Sequence, residues 1–289
     1  MKIFRHRVIR SGPASLTSCA FLAAVFSVWP ALLMAMDDPF RFRPGLRNSP
    51  GARKLNARQL EAVAKSLREK TGFRELAFDE AGFLTLGDRT WHVGGSALAR
   101  KMVAMAVDMA QAVDLEALNH SPEISFARMA NQVSLENRTT HQRIESCSVQ
   151  IDFTDFGHLQ GDRRALAAFD LGFVLLHELG HAVMGLHDSF NEAEGPGQCE
   201  EHINAIRREL KLPVRQTYLA RVRYVSLLKT SPSQGQAELL FAEEDGNAPA
   251  GRAERPSLLR WAADRVGPIV NPATIVQTAT PRSQTAAAP

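Results

Sequence analysis

Residues 173–184 read FVLLHELGHAVM. The stretch is apolar on nearly every side, and its polar residues are concentrated in His177, Glu178 and His181. On a helix, positions four apart lie one turn apart on one face. The imidazoles of His177 and His181 can therefore hold one metal ion. Glu178 is rotated about 100° from His177, where its carboxylate reaches a water beside that ion. Zinc is the expected metal, since it accepts imidazole nitrogen and carboxylate oxygen and brings water toward ionisation at neutral pH. A helix with a carbon-rich surface and polar groups only at these positions is expected to bury a site rather than present a solvated face.

Working outward, the spacing predicts a helix from about Arg164 to Gly185, with a Gly/Pro/acid loop over 188–198. A second helix from Cys199 to Lys211 follows, stopped by Pro213. Before the motif, Val149, Ile151 and Phe153 alternate on one face of a strand over 148–153. Asn56 is placed to cap a helix from Ala57 to about Lys70, ended by Gly72. Phe73–Phe78 and Phe83–Leu86 pair as a hairpin, and Trp91–Val93 adds a short strand. The Ala- and Met-rich run from Ala97 to about Leu118 reads as one long core helix. Ile124–Met129 reads as a strand, 131–142 as a polar loop, and Pro256 as the first turn of a short helix to about Val266. The segments 218–228 and 237–241 suit strand or helix.

The motif HELGH at 177–181 resembles the active-site signature of the zincin metallopeptidases. With the Gly/Pro loop and the helix CEEHINAIRREL at 199–210, it also resembles a group of secreted bacterial proteins. The resemblance covers about Leu171–Leu210. It implies an α+β fold in which the active-site helix packs on a small mixed sheet. It further implies a zinc ion, Glu178 as general base, and a peptide or protein substrate extended along the sheet edge. The third ligand is open. His187 stands at the metzincin distance, but Met184 occupies the position of that pattern's glycine and Gly185 comes one residue late. Gluzincin-type sites take a Glu from a following helix. Cys199, Ile203, Ile206 and Leu210 define the apolar face of that helix, Glu200 and His202 flank it, and Glu201 points opposite. Glu200 is accordingly the first choice, ahead of His187 and His202, with Glu201 and Asp188 behind. His158, His202, Tyr218 and Tyr224 are candidates for stabilising an oxyanion.

The ends of the chain bear on where it works. Lys2, Arg5, Arg7 and Arg10 precede an uncharged span, Ser11–Met36, the pattern of an export signal; an uncleaved membrane anchor is the alternative. Those four residues account for the formal charge of +3, since the remaining 30 basic residues face 31 acidic ones. With no basic stripe carrying aromatics, nucleic-acid binding is not expected. The organisation expected is 1–36 signal or anchor, 37–54 loose leader, 55–245 zincin-like domain, and 246–289 a short helix with a disordered tail. A secreted or periplasmic location leaves Cys147 and Cys199 either as a disulfide or as two buried thiols. The function expected is peptide hydrolysis. A non-catalytic metal-containing binding module and a hydrolase of non-peptide amides are the alternatives.

Overall fold

A computed structural model describes residues 42–137, 140–189, 195–225, 234–243 and 256–266. The expected export signal, most of the expected tail and residues 138–139 lie outside the described residues. In chain order the elements are β1 (Gly45–Asn48), α1 (Ala57–Thr71), β2 (Ala77–Phe78), β3 (Leu84–Thr85), α2 (Ala97–Asp108), β4 (Ala112–Leu118), β5 (Ala127–Glu136) and β6 (Arg143–Asp152). They continue with β7 (Gln160–Gly161), α3 (Arg163–Ala168), α4 (Leu171–Met184), α5 (Gly197–Glu209), β8 (Val214–Arg215), β9 (Arg221–Val225), β10 (Gln234–Ala242) and β11 (Ser257–Ala262). The fold is mixed α+β.

One sheet has the order β1-β4-β6-β5, with β1 and β6 parallel to β4 and β5 antiparallel to β6. Its inward residues Val113, Leu115, Val149 and Ile151 meet Val63, Leu67, Met102, Val103 and Leu175 of the helices in the larger core. Helix α1 has the expected start and stop: Asn56 and Gln59 form a reciprocal cap, and Gly72 takes the left-handed conformation. The second sheet, β7-β11-β10-β8 with β9 also on β10, is antiparallel and packs Leu239, Phe241, Leu259 and Trp261 against Ala165, Phe169 and Phe126. Helix α4 lies between the two cores, which is why its apolar residues run all round. Among the described residues, Arg163–Met184 is the one helical stretch long and apolar enough to cross a membrane, and it is mostly buried inside the protein.

Several sequence expectations are corrected. The run from Ala97 is two elements: α2 ends at Asp108, and Ala112–Leu118 is strand β4, buried at Val113 and Leu115 and more open at Asp114 and Glu116. Helical and strand periods both fit its short apolar stretches. The expected loop over 131–142 is largely the far half of β5. Gln132, Val133 and Ser134 are exposed on this edge strand, Val133 at 52%, whereas Leu135 packs toward Phe42 and Ile144. The expected helix after Pro256 is β11, with Leu259 and Trp261 alternating inward. In the expected leader, residues 45–48 form β1, tied to β4 by an ion pair at 2.6 Å between the buried Arg47 and Asp114. The helix over Arg164–Gly185 is broken at Phe169–Asp170. There Asp170 caps α4 through the Phe173 N–H at 3.1 Å.

Candidate metal centre

Helix α4 ends on Gly185, whose left-handed φ of 63° lets the chain reverse. The reversal puts the Leu186 carbonyl 2.6 Å from His181 Nδ1. A carbonyl only accepts, so Nδ1 carries the proton and Nε2 presents its lone pair. Two residues on, a bridge between Asp188 and Gly197 turns the Asp188 carboxylate back over α4. His177 Nε2 lies 3.0 Å from Asp188 Oδ1, and His181 Nε2 lies 3.2 Å from Oδ2. The two Nε2 atoms are 3.3 Å apart.

Glu200, the first choice for third ligand, does not join this convergence. It is buried on α5, and its Oε2 lies 3.3 Å from His177 Nδ1, the opposite ring edge. The physical reason is competition. Arg207 grips Glu200 Oε1, and Arg215 donates to Oε2 at 3.1 Å. Arg207 and Arg215 are themselves fixed by the carbonyls of Ala168 and Thr217. Burial acts to raise the Glu200 pKa, but the two guanidinium charges outweigh it and hold the carboxyl ionised. An anion beside Nδ1 favours the proton there, leaving the second Nε2 lone pair free as well.

Two nitrogen lone pairs and a carboxylate thus face one point. Such a set requires a positive charge among its members, either a proton or a metal ion. Burial lowers the His177 pKa, yet its contacts with Asp188, Cys199 and Glu200 outweigh this and leave it well raised. Burial likewise opposes Asp188 ionisation, and its two imidazole contacts hold it below the usual range. The donor set fits zinc. Ligands about 2.0–2.1 Å from a tetrahedral ion are about 3.4 Å apart, close to the spacings here. Asp188 Oδ1 and His177 Nδ1 are also buried, and the approaches made to them at 3.0 and 3.3 Å lack hydrogen-bond geometry. Among the described residues the donors of His177, His181, Asp188 and Cys199 gather within 4.8 Å of one another. The Cys199 thiol is spent on the His177 carbonyl at 3.2 Å. Cys147 and Cys199 are both free and buried, so the considered disulfide is not formed.

Glu178 is buried beside the donors, and its Oε2 accepts the Met129 N–H of edge strand β5 at 2.6 Å. Burial, the leading cause, raises its pKa, while the two histidines act against that. The Tyr218 ring stacks on His177 at 5.6 Å and 14°. Burial first, and then the Asp188 charge, keep its phenol protonated. A cavity of about 50 Å³ opens beside Glu178, between Phe126, Phe169, Phe173 and Val174.

The other sequence candidates fall elsewhere. His187 is exposed, and its carbonyl accepts from Cys199 N. His202 lies on α5 near Lys101 and Glu209, and His158 on a 3₁₀ turn (Asp155–His158). Tyr224 lies on β9, paired with Gly235. Arg215 and Met129 were not foreseen. Arg215 follows Pro213 without any pattern, and Met129 acts through its backbone, which has no signature in a sequence. Comparison of the chain with protein-family models, with curated proteins and with solved structures found no match.

Proposed function

We propose that this chain is an exported zinc-dependent peptidase. The observation that supports the reading is the convergence of His177 Nε2, His181 Nε2 and the Asp188 carboxylate on one point beside the buried base Glu178. His177, His181 and Asp188 would hold the ion. Glu200 would orient the His177 ring from behind, with Arg207 and Arg215 fixing Glu200. Zinc supplies Lewis acidity, making water more acidic and polarising a carbonyl.

The chain's own residues do the rest. Glu178 takes a proton from the attacking water and delivers it to the leaving nitrogen as the C–N bond breaks, and the carboxylic acid formed passes its proton to the amine, leaving a carboxylate and an ammonium group. The raised pKa of Glu178 suits both of its transfers. The Met129 N–H fixes the carboxylate against β5, whose outer edge carries no strand among the described residues and would pair with an extended peptide. Tyr218, stacked on His177 and hydrogen-bonded through its protonated phenol to Asp188, would have to turn from that carboxylate to donate to the oxygen that gains charge at the attacked carbonyl. The export reading rests on the basic and apolar order of residues 1–36.

A second reading is a structural metal site in a binding module. It is favoured by Cys199, since a fourth protein ligand would close the coordination that catalysis leaves open. One experiment separates the two. The protein should carry about one zinc per chain, and Glu178→Gln should keep the zinc while losing at least about 100-fold in peptide hydrolysis. Full activity in Glu178→Gln contradicts the mechanism. Bound zinc with no hydrolysis by the unaltered protein on broad peptide mixtures favours the binding module.

A further inference from the structure

Among the described residues the large hydrophobic side chains left exposed are Trp91, Val93, Met105 and Val133. The first three share one ridge. The segment 88–95 runs antiparallel to α2 and is pinned to it at both ends. Arg89 donates twice to the Asp108 carboxylate at 2.6 Å, and Arg100 donates to the Gly94 carbonyl at 2.8 Å. Trp91 and Val93 therefore stand beside the part of α2 whose open stripe is Lys101, Met105 and Asp108, about one turn apart. The backbone between the pins is also held. The Val93 N–H donates to the Gly72 carbonyl at 3.0 Å, and the Arg74 N–H to the Trp91 carbonyl at 3.3 Å. Trp91 and Val93 are thus 54% and 58% exposed on a fixed backbone. Clustered apolar side chains presented in this way mark an interaction surface, whereas scattered ones do not.

Size, chemistry and position together select a lipid surface as the partner. The exposed parts of the three side chains amount to at most about 400 Å², half of the roughly 800 Å² per partner that a stable protein interface buries. A second copy of the chain would therefore find too little to hold. A bilayer accepts a small apolar tip, and tryptophan is the side chain enriched at its interface. Arg74 and Lys101 are exposed beside the tip, where lipid phosphates would lie. The start of the described chain points the same way. The Gly45 N–H donates to the Gln111 carbonyl at 2.8 Å, and a Cβ on Gly45 would stand 2.7 Å from the Val107 carbonyl oxygen. The chain thus enters the fold against the last turn of α2, next to Met105 and Asp108. Residues 37–41 separate Phe42 from the uncharged span 11–36, a reach of at most about 20 Å. That span, as an uncleaved anchor, would hold this end of the protein at the membrane and raise the local concentration of lipid around the ridge.

We propose that the ridge of Trp91, Val93 and Met105 is a lipid-docking surface, which enters the head-group region of the bilayer from which the anchored chain emerges. This docking is independent of the metal and of Glu178, and it takes the span 11–36 as an anchor that is kept. Trp91 itself is the probe. The full chain carrying Trp29→Phe is reconstituted into vesicles of phosphatidylethanolamine and phosphatidylglycerol, with or without bromine on the acyl carbons just below the head groups. Two tryptophans then remain, Trp91 and the buried Trp261. Bromine should quench the Trp91 emission, and the residual emission should match that of the same chain with Trp91→Phe, which reports Trp261 alone. Adding Val93→Ser and Met105→Gln removes two of the three apolar contacts. It should lower the docked population at least tenfold, read as loss of most of the quenching. Both positions are exposed, and unchanged Trp261 emission verifies that the fold is kept. Trp91 emission indifferent to bromine overturns the proposal. So does quenching that the Val93 and Met105 changes leave intact, since the anchor alone would then account for it. A blue shift of Trp91 that grows with protein density, without quenching, would assign the ridge to a second copy and overturn it as well.

Discussion

The partly buried Asp188 and the buried Glu200 both lie beside His177, yet they face different ring nitrogens, and that difference assigns their roles. Asp188 meets Nε2, on the side shared with His181, and Glu200 meets Nδ1. Asp188→Ala should therefore abolish tight zinc binding. Glu200→Gln should weaken it by roughly 10–100-fold, the usual effect of losing an orienting partner. Glu200→Ala also strips two buried guanidinium groups of their counter-charge and should destabilise the fold by about 3–5 kcal/mol. Zinc titration of Asp188→Ala and Glu200→Gln checks the order, and a larger loss from Glu200→Gln would make Glu200 the ligand. His177, Glu178 and His181 are legible in the sequence because helix periodicity alone places them together. The third acid is not. Helix geometry correctly puts Glu200 toward the buried side of α5, but Asp188 arrives through the reversal at Gly185 and the bridge to Gly197, which involve tertiary contacts.

At the scale of elements, α4 and α5 approach closely because Gly180 lacks a side chain. A Cβ added there would stand 2.8 Å from Cys199 Sγ, closer than real contacts allow. Gly180→Ala should destabilise the protein by roughly 1–3 kcal/mol through overpacking. Combining it with Cys199→Ala removes the obstructing sulfur, so the pair should be less destabilising than the sum of the single changes. Urea unfolding of the three variants measures this, and simple additivity would contradict it. The same packing keeps both thiols inert: burial pushes the Cys147 pKa up to about 11 and raises that of Cys199. Thiol reagents should find neither cysteine in the folded protein and both after unfolding. The helices were legible where caps and periodicity agreed, as with Asn56 and Gly72 around α1. Strands β1, β4 and β11 were not: β1 is short and pairs with a strand far along the chain, and the apolar runs of β4 and β11 fit a helical period as well as a strand period.

For the whole molecule, the join between the two cores has a pH dependence of its own. Asp155, 1% exposed, sits where the 3₁₀ turn meets the head of β5, facing Asp152, His158 and His120. Burial, and then the Asp152 charge, push its pKa up to about 6, against the pull of the Phe126 N–H and the histidines. Between about pH 4 and 6 the unfolded chain has lost this proton and the folded protein keeps it. Stability therefore falls as pH rises through that window, by up to about 3 kcal/mol. Asp155→Asn keeps an acceptor for the Phe126 N–H and removes the charge. It should be more stable than the parent at pH 7 and similar to it at pH 4. Urea midpoints at the two values test this, and an equal difference at both would contradict it. The sequence shows Asp155 only as an acid after a strand, because burial at the seam of two sheets depends on residues up to about 100 positions away.

The central claim is that a metal held by two imidazoles and one carboxylate keeps a position open beside Glu178. X-ray absorption at the zinc edge of the zinc-loaded protein tests it most directly. The account predicts nitrogen and oxygen neighbours alone, at about 2.0–2.1 Å, with two imidazole signatures. A sulfur neighbour at about 2.3 Å would place Cys199 in the coordination shell, close the site and contradict the catalytic reading.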